Sequence, residues 1–254
     1  MNRKRGDISL RRAGLLEMIR HSGNSQLDIP NTAKLLGISE VTLRRDLAVL
    51  AGEGLVERSY GKVAAAQASD QSKLTAINES VQRISRKAAE FVEEGDILFV
   101  NTSRTALHML RYIDVANVTV ITNNVLATSV PHRSDMTLIL TGGEVRYPKY
   151  AMVGDVAQKT IQSIRANKAF LGCSGLSVDG GMTTEYFAEV GVNSLMLQNV
   201  SGPVFLLASH VKLNWDSNFV SGPISYVSTL ITDKGAPAEL IAPFEALDIQ
   251  VWQV

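Results

Sequence analysis

The spacing of hydrophobic residues divides the chain of 254 residues into two parts. Near the start, apolar residues recur every three or four positions, which is typical of amphipathic helices. From Val81 onward, short apolar runs alternate with helical segments. The pattern therefore predicts a small helical part, followed by a larger part that contains both strands and helices.

The first part is predicted to contain three helices. The first carries Leu15 and Ile19 on one face. The second begins after Asp28, a residue type that caps helices, and stops at Gly37. The third is capped by Ser39 and extends to about residue 50. Two short helices joined by a glycine turn form a helix-turn-helix unit.

A predicted hairpin follows the third helix. The segment GLVERSYGKVAAA indicates two short strands around a tight turn at Gly61. The next stretch, AAAQASDQSK, is small and polar and has no periodic apolar pattern. We therefore expect one domain at residues 1–66, a linker at residues 67–75 and a second domain at residues 76–254.

Seven apolar runs in the second part are candidate strands, namely DILFVN, VTVIT, TLILT, KAFLG, VFLLAS, STLIT and IQVWQ. Helix-like segments such as RISRKAAEFVEE, ALHMLRYI and EVGVNSLMLQN lie between several of them. Strands that alternate with helices form βαβ units and a mainly parallel sheet. The fold class expected for this part is therefore α/β.

Charge and cysteine content narrow the class of protein. The net charge is zero, but residues 1–67 hold 11 Lys and Arg against 7 Asp and Glu, whereas the remainder holds 14 against 18. A basic module joined to a mildly acidic one favours nucleic-acid binding by the first part. The sequence has no long apolar run and no signal segment, and the lone Cys173 excludes an internal disulfide. We expect a cytoplasmic protein with a buried thiol and no membrane contact.

The third predicted helix presents two contrasting faces. Leu43, Leu47 and Leu50 have the spacing of a stripe that faces the core. The opposite side carries two adjacent arginines among small or hydroxyl-bearing residues, namely Val41, Thr42, Arg44, Arg45 and Ala48. Guanidinium, methyl and hydroxyl groups contact guanine edges, thymine methyls and phosphates in the major groove. An ordinary solvated face is the alternative, and the surrounding helix-turn-helix favours DNA binding over it.

The predicted DNA-contacting residues lie on this helix and on the hairpin, which has the position of a wing. They are Ser39, Val41, Thr42, Arg44, Arg45, Arg58, Tyr60 and Lys62. Asp46 is expected to cap the helix or to pair locally, because a carboxylate repels phosphates.

The segment AKLLGISEVTLRRDLAVLAGEGLVERSYGKVAAA resembles the N-terminal domain of the DeoR family of bacterial transcriptional regulators. The family signature is T-[IL]-R-R-D-L, then L-x-x-x-G-x-[LV]-x-R and a glycine wing. This chain departs from it at Lys62, where the family usually has a second glycine, and at Tyr60, where it usually has histidine. The resemblance implies a winged helix-turn-helix that binds operator DNA.

Three segments that follow candidate strands carry small and polar residues, namely NTSRTA, TNN and TGGEVR. Ligands of open α/β sheets bind at the carboxyl ends of the strands, where hydroxyls, backbone N–H groups and an arginine can hold a phosphate. The alternative is that these segments are connecting turns only. Arg104 would either bind a phosphate through two hydrogen bonds or pair with a surface carboxylate.

The second part also resembles the DeoR-family effector domain, in motifs such as VTVITNN, LILTGGEVR and KAFLGCSGLSVDGGMTT. The resemblance implies a Rossmann-like α/β domain that is related in fold to ribose-5-phosphate isomerase and binds phosphorylated sugars. Carried over by position, it gives effector-binding or structural roles to Asn101, Thr102, Ser103, Arg104, Thr105, Asn123, Gly142, Gly143, Gly175, Glu189 and Lys212. Asn101 and Ser209 are neutral where the family usually has acids, which suggests an altered effector.

The resemblance implies a DNA-binding repressor of a carbohydrate-catabolic operon, released from DNA by a phosphorylated sugar. We expect a homo-oligomer, either a dimer or a tetramer, because one helix-turn-helix reads only a few base pairs. One alternative is an isomerase-like enzyme with Glu189 and Lys212 as its acid–base pair. Another is a DNA-binding regulator that senses no ligand. The sequence has no Walker motif, no dinucleotide motif and no metal-ligand spacing, so we expect neither cofactor nor metal.

Overall fold

The computed structural model describes residues 11, 12, 14, 15, 18, 19, 28–52, 56–59, 62–65, 79–147 and 149–254; for residues 52, 57–59 and 62–65 it describes the backbone only. Contacts within the chain separate two units, Met1–Ala76 and Ile77–Val254. The predicted linker lies outside the described residues, so its bounds stay a prediction.

The first unit contains the predicted helix-turn-helix. Residues 11, 12, 14, 15, 18 and 19 are helical, and two further helices follow, α1 (Ile29–Leu35) and α2 (Glu40–Gly52). The Asp28 carboxylate accepts a hydrogen bond from the backbone N–H of Asn31 at 3.2 Å, which caps α1. Ser39 Oγ accepts from the backbone N–H of Thr42 at 3.2 Å and caps α2. Both predicted caps are therefore confirmed.

One small core holds this unit together. Leu15, Ile19, Leu43, Leu47 and Val56 are among its buried members. The side chains come from the first helix, from α2 and from the first strand of a hairpin. Burying each large aliphatic side chain is worth about 1.5–3 kcal/mol, so this core fixes the orientation of α2.

The hairpin consists of two antiparallel strands, β1 (Val56–Ser59) and β2 (Lys62–Ala65). Ser59 lies opposite Lys62, so two residues connect the strands. The connecting residues Tyr60 and Gly61 lie outside the described residues.

The second unit alternates strands and helices. Its strands are β3 (Ile97–Val100), β4 (Thr119–Thr122), β5 (Thr137–Leu140), β6 (Glu144–Arg146), β7 (Ala151–Val153), β8 (Lys168–Gly172), β9 (Gly175–Ser177), β10 (Gly181–Thr184), β11 (Val204–Leu207), β12 (Phe219–Gly222), β13 (Thr229–Thr232) and β14 (Gln250–Gln253). Its α-helices are α3 (Glu79–Ala89), α4 (Arg104–Met109), α5 (Asp155–Gln162), α6 (Phe187–Gln198) and α7 (Ala238–Glu245).

Seven of these strands form one parallel sheet in the order β14-β13-β11-β8-β3-β4-β5. They correspond to the seven apolar runs, so the α/β prediction is confirmed. After β3, the chain adds β4 and then β5 on one side of the sheet. It then returns to place β8 on the other side of β3, followed by β11, β13 and β14. The strand order therefore reverses between β3 and β8. Such a switch point opens a crevice at the carboxyl ends of the strands, where ligands of doubly wound sheets bind.

The sequence analysis missed two smaller sheets. An antiparallel hairpin joins β6 to β7, and a three-stranded antiparallel sheet has the order β12-β10-β9. The segment TGGEVR was expected to be a loop, but its residues Glu144–Arg146 form β6. All three residues of β6 are exposed, so the strand has no apolar face that a period-two pattern could show.

The core of the second unit lies on both faces of the large sheet. Phe99, Ile121 and Leu171 are fully buried in it. Cys173 is also buried, which confirms a packing role for the thiol. Within the described part of the chain, no helix is long and apolar enough to cross a membrane.

Candidate functional site

The two faces of α2 differ as its sequence predicts. Leu43 and Leu47 are completely buried, whereas Val41 is 77% exposed and the side chain of Arg44 is 60% exposed. Arg45 is exposed beside Arg44. The predicted recognition face is therefore presented to solvent on a helix whose other face is packed.

The N-terminus of α2 is held by hydroxyl groups. Ser39 Oγ and Thr42 Oγ1 lie 2.8 Å apart in a hydrogen bond, beside the Ser39 cap of the helix. Arg44 Nη2 lies 3.3 Å from Glu40 Oε2, one turn earlier. An exposed pair of this kind contributes only about 0.3–0.5 kcal/mol, so a phosphate can displace Glu40 from Arg44 with little loss of free energy.

Asp46 lies on the packed side of α2 and is 1% exposed. Its Oδ2 accepts from Arg11 Nε at 2.7 Å, and its Oδ1 accepts from Arg12 Nε at 2.8 Å. The expectation of a local partner was wrong, because both partners precede Asp46 by more than thirty residues. The sequence analysis overlooked Arg11 and Arg12, whose only signal is a pair of cations in the first helix.

Arg45 is adjacent to this buried ion cluster. Partial burial lowers the pKa of Arg45, the positive charge of Arg12 lowers it further, and the negative charge of Asp46 raises it.

The hairpin residues are described only in part. Arg58 lies opposite Val63 in the backbone register, and Lys62 lies opposite Ser59. The side chains of Arg58 and Lys62, and the whole of Tyr60, lie outside the described part of the structure. Their DNA contacts stay a prediction.

In the second unit, Asn101 lies at the switch point of the large sheet, directly after β3. Its Nδ2 donates to the carbonyl of Gly172 at 2.9 Å and to Asn193 Oδ1 at 3.1 Å. Its Oδ1 accepts from the backbone N–H of Gly172 at 3.0 Å and from that of Ser103 at 3.2 Å. Asn101 is 2% exposed, so the described geometry shows it joining the ends of β3 and β8.

Thr102 connects this switch point to a buried carboxylate. Its Oγ1 donates to Glu189 Oε1 at 3.0 Å. The other carboxylate oxygen, Oε2, accepts from Thr184 Oγ1 at 3.0 Å and from Lys149 Nζ at 3.3 Å. Glu189 is 4% exposed, and these three donors compensate its burial.

The rest of the predicted phosphate loop starts α4. Ser103 Oγ accepts from the backbone N–H of Ala106 at 3.4 Å as the helix cap. Arg104 follows, and burial lowers its pKa to about 10. The carbonyl of Thr105 accepts from Ser85 Oγ at 2.7 Å. These contacts show how the loop is anchored, and a phosphate-binding role for it stays a prediction.

Asn123, Gly142 and Gly143 meet the β6–β7 hairpin. The Nδ2 of Asn123 donates to the carbonyl of Met152 at 3.2 Å. Gly142 and Gly143 both have positive φ angles, and a Cβ on Gly143 would lie 2.4 Å from the carbonyl oxygen of Val153. These three residues position the hairpin against the ends of β4 and β5.

Lys212 and Gly175 lie beyond the end of β8. Lys212 Nζ donates to the carbonyl of Cys173 at 2.7 Å. A Cβ on Gly175 would lie 2.4 Å from the carbonyl oxygen of Trp215, so the backbone is too close there for any other residue. The same edge carries Asp233, missed by the sequence analysis, whose Oδ1 lies 2.5 Å from His210 Nδ1.

Asp233 also joins the edge of the sheet to the first helix of the unit. Its Oδ2 accepts from Ser80 Oγ in α3 at 3.0 Å and from the backbone N–H of His210 at 3.0 Å. Burial raises the pKa of Asp233, but hydrogen bonds from the backbone N–H groups of His210 and Gly235 and from the His210 ring outweigh it and lower the pKa overall.

A cleft of about 310 Å³ lies between the β6–β7 hairpin and the start of α6. Two cations, two carboxylates and three aromatic rings dominate its lining. The lining residues are Arg146, Tyr147, Lys149, Ala151, Glu185, Tyr186, Phe187, Ala188 and Glu189. Of the predicted effector residues, Glu189 lines this cleft and Thr102 reaches it through Glu189.

Two family models match the chain. A DeoR-like helix-turn-helix domain matches residues 11–69, and a DeoR C terminal sensor domain matches residues 78–234, which is more than half of the chain. The chain belongs to the DeoR family of transcriptional regulators. The sequence-based prediction of a DNA-binding regulator with a sensor domain, rather than an enzyme, is confirmed by these matches.

Two curated transcriptional repressors are similar to this chain over nearly its whole length. The glycerol-3-phosphate regulon repressor of Escherichia coli strain K12 is 28% identical over 239 residues, covering 91% of this chain and 93% of the relative. The putative aga operon transcriptional repressor of Escherichia coli O157:H7 is 24% identical, with 96% and 93% covered. Among solved structures, ribose 5-phosphate isomerase from Plasmodium falciparum covers 52% of this chain and 51% of its own, at 11% identity and a TM-score of 0.35. That match is too distant to add to the assignment.

Proposed function

We propose that this DeoR-family regulator represses a carbohydrate-catabolic operon and that a phosphorylated sugar releases it from operator DNA. The observation that carries the proposal is the switch point of the large sheet, where hydroxyl, amide, carboxylate and ammonium groups converge beside an open cleft. The names of the relatives agree with it, since one is a repressor of a glycerol-3-phosphate regulon and another of an aga operon.

The proposed DNA interface is the exposed face of α2 together with the hairpin. Arg44 and Arg45 can bind phosphates or guanine edges, and the exposed methyl groups of Val41 can contact thymine. The buried side of α2 is fixed by leucines and by the Asp46 ion cluster, so the arginines project from a rigid support. Such pre-organisation favours specific over non-specific binding.

The proposed effector site lies at the carboxyl ends of the strands. Thr102, Glu189 and Lys212 supply hydrogen-bonding groups there, and Asn101 and Asn123 fix the loops that carry them. The ligand-independent regulator is the competing hypothesis. The two hypotheses differ in whether any phosphorylated sugar changes the affinity for DNA.

Fluorescence anisotropy with DNA from upstream of the gene and of its neighbours tests the proposal. We expect binding in the nanomolar range at physiological salt, and release on addition of one member of a sugar-phosphate panel. Tight DNA binding that no member of the panel changes would favour the ligand-independent regulator. We also propose a homodimer or homotetramer, because symmetric half-sites need symmetric proteins. A monomer in sedimentation at micromolar concentration would refute that part.

A further inference from the structure

The predicted effector residues include Glu189, but neither of the two cations that line the cleft beside α6. These cations, Arg146 and Lys149, come from the β6–β7 hairpin and its connection. We propose that this cleft is where the effector binds, with Arg146 and Lys149 holding its phosphate group. This inference rests on the proposed function, because it places the ligand that the proposed function requires.

The two cations differ in exposure and in the groups beside them, and each arrangement allows an anion to bind. The side chain of Arg146 is 62% exposed and lies beside Glu144, which is 67% exposed. Solvated pairs of this kind are weak, so Arg146 can exchange Glu144 for a phosphate. The side chain of Lys149 is 19% exposed, and its Nζ lies 3.3 Å from Glu189 Oε2 and 4.4 Å from the centre of the Tyr186 ring. The carboxylate and the ring orient the ammonium group before any ligand arrives.

The remaining lining fits a polyol better than inorganic phosphate alone. Tyr147 and Phe187 are 70% and 73% exposed at the rim, where their rings offer apolar faces to the C–H groups of a sugar. The carboxylates of Glu185 and Glu189 are acceptors, which suit hydroxyl donors. Cations and acids in one cleft therefore select a molecule that carries both a phosphate and hydroxyl groups. The volume of about 310 Å³ is at the lower end of the usual range for small-molecule sites.

The cleft is connected to the switch point of the sheet by Glu189. One carboxylate oxygen accepts from Lys149 at the cleft, and the other accepts from Thr102 at the end of β3. A phosphate that draws Lys149 away from Glu189 changes the charge balance around this carboxylate. Glu189 thereby transmits the effect of a ligand in the cleft to Thr102 at the switch point of the sheet.

Calorimetric titration of the full-length chain tests the assignment. The probes are glycerol 3-phosphate and hexose 6-phosphates, with inorganic phosphate and the unphosphorylated sugars as partial ligands. We expect one sugar phosphate to bind more tightly than either of its parts. Arg146→Ala should then weaken its binding about 10-fold or more, the effect of losing one charge-assisted hydrogen bond.

Arg133→Ala is the matched control. Arg133 is also a surface arginine paired with an acid two residues away, Asp135, but it lies outside the cleft, so its loss should leave ligand affinity unchanged. Glu144→Gln removes the competing carboxylate beside Arg146 and should leave binding equal or tighter. Lys149 is less suitable for substitution, because its removal would leave Glu189 without its cation.

Each result decides the assignment. Equal affinity of wild type and Arg146→Ala, or an equal loss in Arg133→Ala, would overturn it while leaving the proposed function intact. Failure of every phosphorylated probe to bind the wild-type chain at millimolar concentration would overturn both the site and the proposed effector class. Binding that depends on Arg146 but does not change operator affinity would support the site and refute release by the effector.

Discussion

Replacement of Asp46 by asparagine should destabilise the DNA-binding unit severely. Asparagine has nearly the same shape as aspartate but no charge, so Asp46→Asn removes the buried carboxylate that both Arg11 and Arg12 contact. Both arginines bond to this carboxylate at 2.7–2.8 Å, and the side chain of Arg12 is only 2% exposed. The perturbation therefore tests whether the position of α2 depends on this cluster.

The expected loss is about 3–5 kcal/mol, the usual result of removing one partner from a buried ion pair. At about 0.05–0.15 kcal/mol per residue, a unit of 76 residues has a free energy of unfolding of about 4–11 kcal/mol, so a large part of the stability of the unit would be lost. Arg44→Ala is the matched control on the same helix. It removes an exposed pair with Glu40 and should change stability by about 0.5 kcal/mol at most.

Hydrogen exchange read by mass spectrometry measures this effect in the full-length chain. In Asp46→Asn, backbone amides of α2 should exchange at least about 100-fold faster, since 1.4 kcal/mol corresponds to a tenfold change. Both tryptophans, Trp215 and Trp252, belong to the second unit, so unfolding followed by tryptophan fluorescence should be unchanged. Wild-type exchange rates in α2 of Asp46→Asn would refute the role given to the cluster.

Three further predictions follow from individual contacts. Arg45→Ala should abolish operator binding in anisotropy measurements while the far-ultraviolet circular dichroism stays unchanged, because Arg45 projects from the exposed face of α2. The pKa of Asp233 is lowered by folding, so Asp233 stabilises the sensor domain above the ordinary aspartate pKa of about 3.9, and this contribution is lost as the pH falls through the lower folded pKa. Asp233→Asn should therefore flatten the acid limb of a plot of unfolding free energy against pH, and an unaltered limb would contradict the assignment. Gly143→Ala should lower the melting temperature more than Gly95→Ala, because both glycines have positive φ but only at Gly143 would a Cβ collide with Val153.

The seven parallel strands were predictable because each is an apolar run bounded by polar or small residues. Strands covered by helices on both sides need continuous apolar sequence, so the local pattern and the burial agree. The β6–β7 hairpin was not predictable in the same way. Its first strand, Glu144–Arg146, is exposed at every residue, and two of its three side chains are charged. Its sequence pattern is therefore typical of a loop.

The candidate site was predictable only as far as local motifs extend. Thr102 and Glu189 were selected separately, by position in the resemblance, and the structure joins them by a hydrogen bond. The partners of Asp46 and the position of the cleft depend on contacts between residues that are distant in sequence. Arg146 and Lys149 carry no spacing signal, because a cleft formed by a hairpin and a helix exists only in the folded chain.

The central claim is that one phosphorylated sugar and operator DNA bind the same protein with opposing effects. The most direct test measures both affinities, each with and without the other ligand. Linkage requires that the sugar weakens DNA binding by the same factor by which DNA weakens sugar binding, typically about 5–150-fold. We predict two equal factors well above one. A sugar phosphate that binds the sensor domain while operator affinity stays unchanged would contradict the account.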